Sequence, residues 1–210
     1  MTRRASWREA RLLVVDVELT GLDRESDELI AFGAVPIEEG RIVAGAMLEG
    51  LVRPTRQPTS VSVEIHGIRP QDLASASPLP EALAPLVAAL PGATPIAHAA
   101  WVERAFLGPA LRAAGGKLPR RMIDTSELWR LLWIVRESRD PGYRPLREIT
   151  DALGLPTHHP HQALGDALTT AQVFLALATH LEAVGHGAVR EMTHAASRIT
   201  THATFHGGRR

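Results

Sequence analysis

Between residues 12 and 52 the apolar residues come in short runs, and beyond residue 80 they recur at helical spacing; this change of period limits the folds open to the chain. Leu12–Val17 is β-branched at Val14, Val15 and Val17 and reads as a strand. Gly21 and the acidic stretch Asp23–Glu28 form a turn. Leu29–Ile37 is a second strand and Arg41–Val52 a third, with Glu39-Gly40 as the hairpin between them. Residues 53–69 carry Pro54, Pro58 and Gly67 and read as a long loop. Helix Pro80–Leu90, strand Thr94–His98, helix Trp101–Ala114 and a very short strand at Met122-Ile123 follow. Helices Ser126–Arg136, Leu146–Leu153 and Ala163–Val184 complete the pattern. The order predicts an α/β fold with a mixed five-stranded sheet, three antiparallel strands then parallel strands, flanked by helices.

Of 210 residues, 45% are hydrophobic and 22% charged, the balance of a globular chain. Its composition suggests a basic, frayed N-terminal tail (1–10), one domain (11–184), and a C-terminal segment (185–210). In that last segment Val189, Met192, Ala196 and Ile199 suggest a weakly amphipathic helix, and a polar tail begins at His202. The absence of Cys excludes disulfides, thiolate zinc sites and a cysteine nucleophile. No apolar run approaches the roughly 18 residues that span a bilayer, and the N-terminus lacks the pattern of a signal peptide. A cytoplasmic protein without a membrane partner is the expectation.

The net charge is zero, which taken alone argues against a nucleic-acid partner. The sum hides two opposed populations. Residues 16–49 hold nine acids against two arginines, and residues 104–147 hold ten basic residues against four acids. Arg suits bidentate phosphate contacts, and the arginine-rich stretch 136–147 is either a track for a phosphate backbone or a solvated basic loop.

Three elements could carry chemistry. Asp16 and Glu18 end the first strand, and period two turns both carboxylates to one side, where they repel unless a cation lies between them. Such oxygen donors suit Mg²⁺ or Mn²⁺. Glu103 lies five residues beyond His98, in the first turns of a helix. His161 sits in a loop before the long helix, and Asp166 in that helix's first turns. Singly, each has an ordinary structural explanation: a strand end reaching solvent, an acid facing a helix dipole, a surface histidine. His158, His159 and His161 lack the spacing of a zinc pair and have no Cys to complete one. Together, four carboxylates and a loop histidine fit two-metal phosphodiester hydrolysis.

The sequence resembles the DEDDh family of 3′→5′ exonucleases, the family of the proofreading epsilon subunit of bacterial DNA polymerase III. Asp16, Glu18, Thr20, Gly21 and Leu22 match its first motif, and Glu28, Ile30, Gly33, Ala34 and Val35 echo its second strand. Val52 and Pro54, then His66-Gly67-Ile68, match two short signatures, and His161, Ala163, Asp166 and Ala167 meet the third motif in full. The resemblance covers about residues 11–182. The second motif departs from the pattern: His98-Ala99-Ala100-Trp101-Val102-Glu103 stands where His-Asn-Ala-x-Phe-Asp is usual. The longer acid keeps its charge and extends its reach by roughly 1.5 Å.

The resemblance implies a ribonuclease H-like fold and two bound ions, Mg²⁺ or Mn²⁺. Asp16 would bridge them, Glu18 and Asp166 would complete one site, Glu103 would serve the other, and His161 would be the general base. Leu19, Thr20, His66, His98 and Trp101 would contact substrate: backbone N–H groups near Leu19 and Thr20 on the terminal nucleotide, Leu19 as an apolar wedge, Trp101 stacking on a base. The implied activity is 3′→5′ exonucleolytic release of nucleoside 5′-monophosphates from single-stranded or frayed DNA 3′ ends, in proofreading fashion, with a polymerase as candidate partner. RNA or short oligonucleotides are the alternative substrate. A nucleic-acid-binding accessory module with an impaired site is the alternative role.

Overall fold

The computed structural model describes residues 5–195. Strand β1 (Leu12–Leu19) is central, pairing antiparallel with β2 (Leu29–Glu38) on one side and parallel with β5 (Thr94–Ala97) on the other. β3 (Arg41–Ile42) and β4 (Leu48–Leu51) both pair antiparallel with β2, and β6 (Ile123–Asp124) pairs parallel with β5. The expected third strand, Arg41–Val52, is thus two short pieces joined by a 3₁₀ turn over Ala44–Ala46. Ala-Gly-Ala has little preference for extended backbone and no side chains to pack across a pleat. The antiparallel half followed by the parallel half is as the sequence predicts.

Alternation along β1 serves two cores. Leu12 and Val14, with Val35, Ile37 and Ile96, pack beneath α6 (Thr125–Glu137) and α8 (Ala163–Ala183). Leu13, Val15, Val17 and Leu19, with Phe32 and Ala34, pack on α3 (Leu79–Ala89) and α5 (Leu107–Ala113). The same period aims Asp16 and Glu18 toward the α8 side, at the carboxyl end of β1.

Three segments depart from the sequence reading. The presumed loop 53–69 contains α1 (Ser60–His66), and α2 (Pro70–Leu73) follows it. Thr59 caps α1 by accepting from the Ser62 N–H, and α1 buries Ser62 and His66 while Val61 and Ile65 face outward. A helix that hides its polar residues carries no apolar stripe to betray it. The expected helix Trp101–Ala114 breaks at Phe106 into α4 (Trp101–Ala105) and α5. Pro109 has no N–H to return to the carbonyl of Ala105, so the helix is interrupted there. The frayed N-terminal arm is corrected for residues 5–10. Trp7 is 1% exposed and meets the Phe174 ring edge-on at 5.8 Å. Its backbone N–H donates to the Gly187 carbonyl, and the Val189 N–H donates to Ala5, just before the short α9 (Val189–Met192). Ala196, Ile199 and the tail from His202 lie outside the described residues.

Gly33 pairs with Asp16 across the β1–β2 ladder. A side chain there would fall inside contact distance of the Ala163 carbonyl and the Leu164 nitrogen, at the start of α8. Glycine therefore lets α8 rest directly on the sheet, one turn ahead of Asp166. Gly33→Ala should cost about 1–3 kcal/mol by overpacking against rigid backbone, read as a lower denaturant midpoint; an unchanged midpoint would mean that α8 stands off the sheet.

Candidate active site

At the carboxyl end of β1, Asp16, Glu18 and Asp166 each present a carboxylate oxygen, and the three oxygens lie within 4.8 Å of one another. The bulge after Glu18 closes the strand, and the start of α8 delivers Asp166. Glu103 comes from α4 on the β5 side. It is 2% exposed, and its Oε2 has no hydrogen-bond partner among the described residues.

The carboxyl groups resist ionisation together. Burial holds Asp16 well above the usual carboxylate range, and the charges of Glu103, Asp166 and Glu18 push it further. Burial, then Asp166, raises Glu18 to about 7. Burial raises Glu103 to about 8, with Asp124 adding repulsion. Burial also raises Asp166, although the backbone N–H and ring of His161 oppose the shift. Unpartnered buried carboxylate oxygen is costly, and an all-oxygen donor set fits a hard divalent cation. The residues present therefore fit one or two such ions.

Asp124 is a residue the sequence reading passed over. At the end of β6 it accepts from the Ala99 and Ala100 N–H groups at 3.1 and 2.9 Å, and from the Ser126 N–H and hydroxyl at 2.9 and 2.8 Å. It thus caps α6 and pins the turn that leads into Glu103. Asp-Thr-Ser at a strand-to-helix junction was its available signal. Ala99 in that turn is left-handed, at φ 56°. Asn tolerates this conformation better than Ala does, so the change from the usual motif carries a backbone cost.

His161 occupies an exposed loop at φ 62°, with His159 also left-handed at φ 37°. Its N–H donates to Asp166 Oδ2 at 2.9 Å. The loop is pinned by the His158 N–H on the Thr169 hydroxyl (3.0 Å), by His158 Nε2 against Gln172 Oε1 (3.1 Å), and by Gly165, whose lack of a side chain admits the His158 and His159 carbonyls. Strained residues of this kind concentrate at functional sites.

The five expected substrate contacts fall differently. Leu19 is 7% exposed and packs into the α3–α5 core, so its side chain is not a wedge. The Thr20 N–H already donates to Glu28, and its hydroxyl joins Asp27 and the Glu28 N–H. Thr20 thus ties the first motif together and has no free N–H for a nucleotide. His66 closes α1, with Nδ1 accepting from the Ile68 N–H. Burial holds its pKa down, the Leu19 backbone opposing and the nearby His161 assisting. It walls a cleft of about 550 Å³ together with Gln162, Leu164, Phe32 and Ile68. Trp101 is 48% exposed, with the Arg24 guanidinium 5.4 Å from its ring. His98 is bonded at both ring nitrogens, to the Thr125 hydroxyl and the Arg144 carbonyl.

The exonuclease family model RNase_T matches residues 13–174. The chain belongs to this exonuclease family. A DNA polymerase III PolC-type from Thermotoga petrophila is 33% identical over 182 residues, 86% of this chain but 13% of that protein. The chain therefore spans a small part of this longer relative. Exonuclease X, solved in complex with 5′ overhanging duplex DNA, superposes with a TM-score of 0.66 at 22% identity, covering 88% of this chain and 98% of that one. The nuclease domain of 3′hExo, a DEDDh member bound to rAMP, superposes at 0.68 with 18% identity, covering 88% and 97%. These likenesses establish the fold. Among the described residues no helix is long and apolar enough to cross a membrane.

Two outcomes are expected. Ala99→Asn should raise stability by about 1 kcal/mol by relieving the left-handed alanine; a loss would place the cost elsewhere. In metal-free protein, Glu18 and Glu103 hold their protons more tightly folded than unfolded. Their contribution to stability is thus present below about pH 4.5 and lost as pH rises through about 7 and 8. Calorimetry in EDTA should show Tm falling over this window, and Mn²⁺ should raise Tm more at pH 8 than at pH 6. A flat metal-free profile would contradict the raised values.

Proposed function

We propose that the chain is a metal-dependent 3′→5′ exonuclease that removes nucleoside 5′-monophosphates from DNA 3′ ends. The observation that carries this is the convergence of Asp16, Glu18 and Asp166 within 4.8 Å, with Glu103 buried beside Asp16 and one of its oxygens unpartnered. Glu in place of the usual Asp thus still delivers a carboxyl group to the cluster, which speaks against an impaired accessory module.

The roles divide among the residues. Asp16 is central, influenced by all three other carboxyl groups, and would serve both ions. Glu18 and Asp166 would hold one, and Glu103 the other. Two Mg²⁺ or Mn²⁺ ions would supply charge neutralisation at the phosphate and stabilise the leaving 3′ oxygen. His161, on its loop beside Asp166, would take the proton from the attacking water at an imidazole nitrogen. Asp166 orders that loop through the His161 N–H, so one carboxylate serves both the ion and the base. Trp101 and Arg24 offer a base-stacking and cationic edge near Glu103. The Thermotoga relative is named as a DNA polymerase, which supports a polymerase as the partner.

A 5′-labelled single strand given Mg²⁺ or Mn²⁺ should shorten stepwise from its 3′ end, faster for DNA than for RNA. A strand left intact with both ions refutes the enzyme, and faster shortening of RNA reassigns the substrate. Glu103→Gln keeps the side-chain shape and removes the charge, and His161→Gln removes the base. Each should cut kcat about 100-fold or more while the folded fraction stays unchanged by circular dichroism; full turnover in either would misplace the site.

A further inference from the structure

The exonuclease reading does not account for two features, His98 and the arginine-rich stretch after α6. They are joined. His98 Nε2 lies 3.1 Å from the Arg144 carbonyl, and Nδ1 lies 2.9 Å from the Thr125 hydroxyl. A carbonyl only accepts, so Nε2 carries the proton and Nδ1 accepts from Thr125. The His98 ring also meets the Tyr143 ring, with centroids 5.9 Å apart at 49°. Both nitrogens are thus spent on protein, and the imidazole has no donor or acceptor left for a substrate.

We propose that residues 139–147 form a basic and aromatic strap that binds the single strand upstream of the scissile end, and that His98 is the positioning residue that fastens this strap to the rim of the site. The proposal rests on the exonuclease reading and names where the rest of its substrate lies.

The strap runs from the end of α6 to the start of α7 (Leu146–Leu153), through a left-handed Ser138 and Gly142. Its one acid, Asp140, is consumed by Arg130 at 2.6 Å and by the Gly142 N–H. The remaining charges point outward. Arg139 makes no ion pair among the described residues. Among the described residues Arg144 and Arg147 make only exposed pairs four positions apart, to Glu148 at 3.4 Å and Asp151 at 4.0 Å. Such pairs are weak and exchange readily for a phosphate. Tyr143 is 58% exposed. It lies close enough to Asp124 to sense its charge, as Glu103 does, so the strap borders the Glu103 side of the site. Two divalent ions would do no more than balance the four carboxyl groups of the site, which leaves no excess positive charge for the rest of a polyanion. A strand running out of the site gains from cations beside it, and the strap, held to His98 through Arg144 and Tyr143, carries three exposed guanidinium groups and an exposed aromatic ring.

Two substrates test this. An oligodeoxynucleotide reaches the strap, whereas the p-nitrophenyl ester of thymidine 5′-monophosphate reports on the carboxylates alone. In Arg139→Glu/Tyr143→Ala, KM for the oligonucleotide should rise about tenfold and its salt dependence should flatten. Turnover of the ester should change much less. His98→Ala should reproduce this split, and His98→Gln, whose amide can still donate to the Arg144 carbonyl, should recover most of the loss. Equal losses on both substrates would make His98 and the strap mere supports of the site, and unchanged oligonucleotide KM would remove the strap from the path. Fluorescence anisotropy of a labelled strand in Ca²⁺ is measured in parallel. A parent that cleaves neither substrate refutes the exonuclease reading, while affinity, lowered or unchanged in the variants, still decides the strap.

Discussion

The contact on which the site depends is between two stretches of backbone. α8 begins directly on β2 because Gly33 has no side chain to hold it away. Since Gly33 is the ladder partner of Asp16, the same contact sets the distance between the carboxylate of the strand and that of the helix. Gly165 repeats the device one layer out, where it admits the two carbonyls that shape the histidine loop. The site is thus assembled by close approach at two glycines, while the larger side chains of the two cores hold the helices in place.

This proximity works against the charges it gathers. Burial raises the pKa of all four carboxyl groups, and neighbouring acids add to the rise at Asp16, Glu18 and Glu103. The chain retains them because the surrounding structure is fixed independently of the site, by apolar packing on both faces of β1 and by Asp124, which holds the turn before α4 through two N–H groups. Such a scaffold can maintain an unfavourable cluster until a cation relieves it. Proton release and ion binding are then opposite sides of one equilibrium.

The short β-branched apolar run of β1 and the helical stripes beyond residue 80 made the layered fold legible in the sequence. Asp16, Glu18 and Asp166 could be grouped from sequence alone, because strand period and motif order point them the same way. Other features depend on tertiary context. α1 hides Ser62 and His66 rather than Val61 and Ile65, so its periodicity misled. Thr20 and Leu19 lie in a matched motif, yet hydrogen bonding and core packing occupy them. Asp124 belongs to no recognised motif, and its importance comes from bonds to a turn distant in sequence and to the helix just ahead of it. His98 matches its motif position, but its partner carbonyl arrives from a loop far later in the chain, at Arg144.

The docking of Trp7 beside Gly187 has a topological consequence. The two ends of the described chain meet near the start of β1, while the carboxylates lie at its other end, roughly 20 Å away by the rise of a strand. Entry and exit on one side, chemistry on the other, give the domain the geometry of a cassette. A strand that reaches the carboxylates therefore meets the opposite edge of the sheet from Trp7 and Gly187, and the contacts that tie these two segments together leave the site's edge untouched.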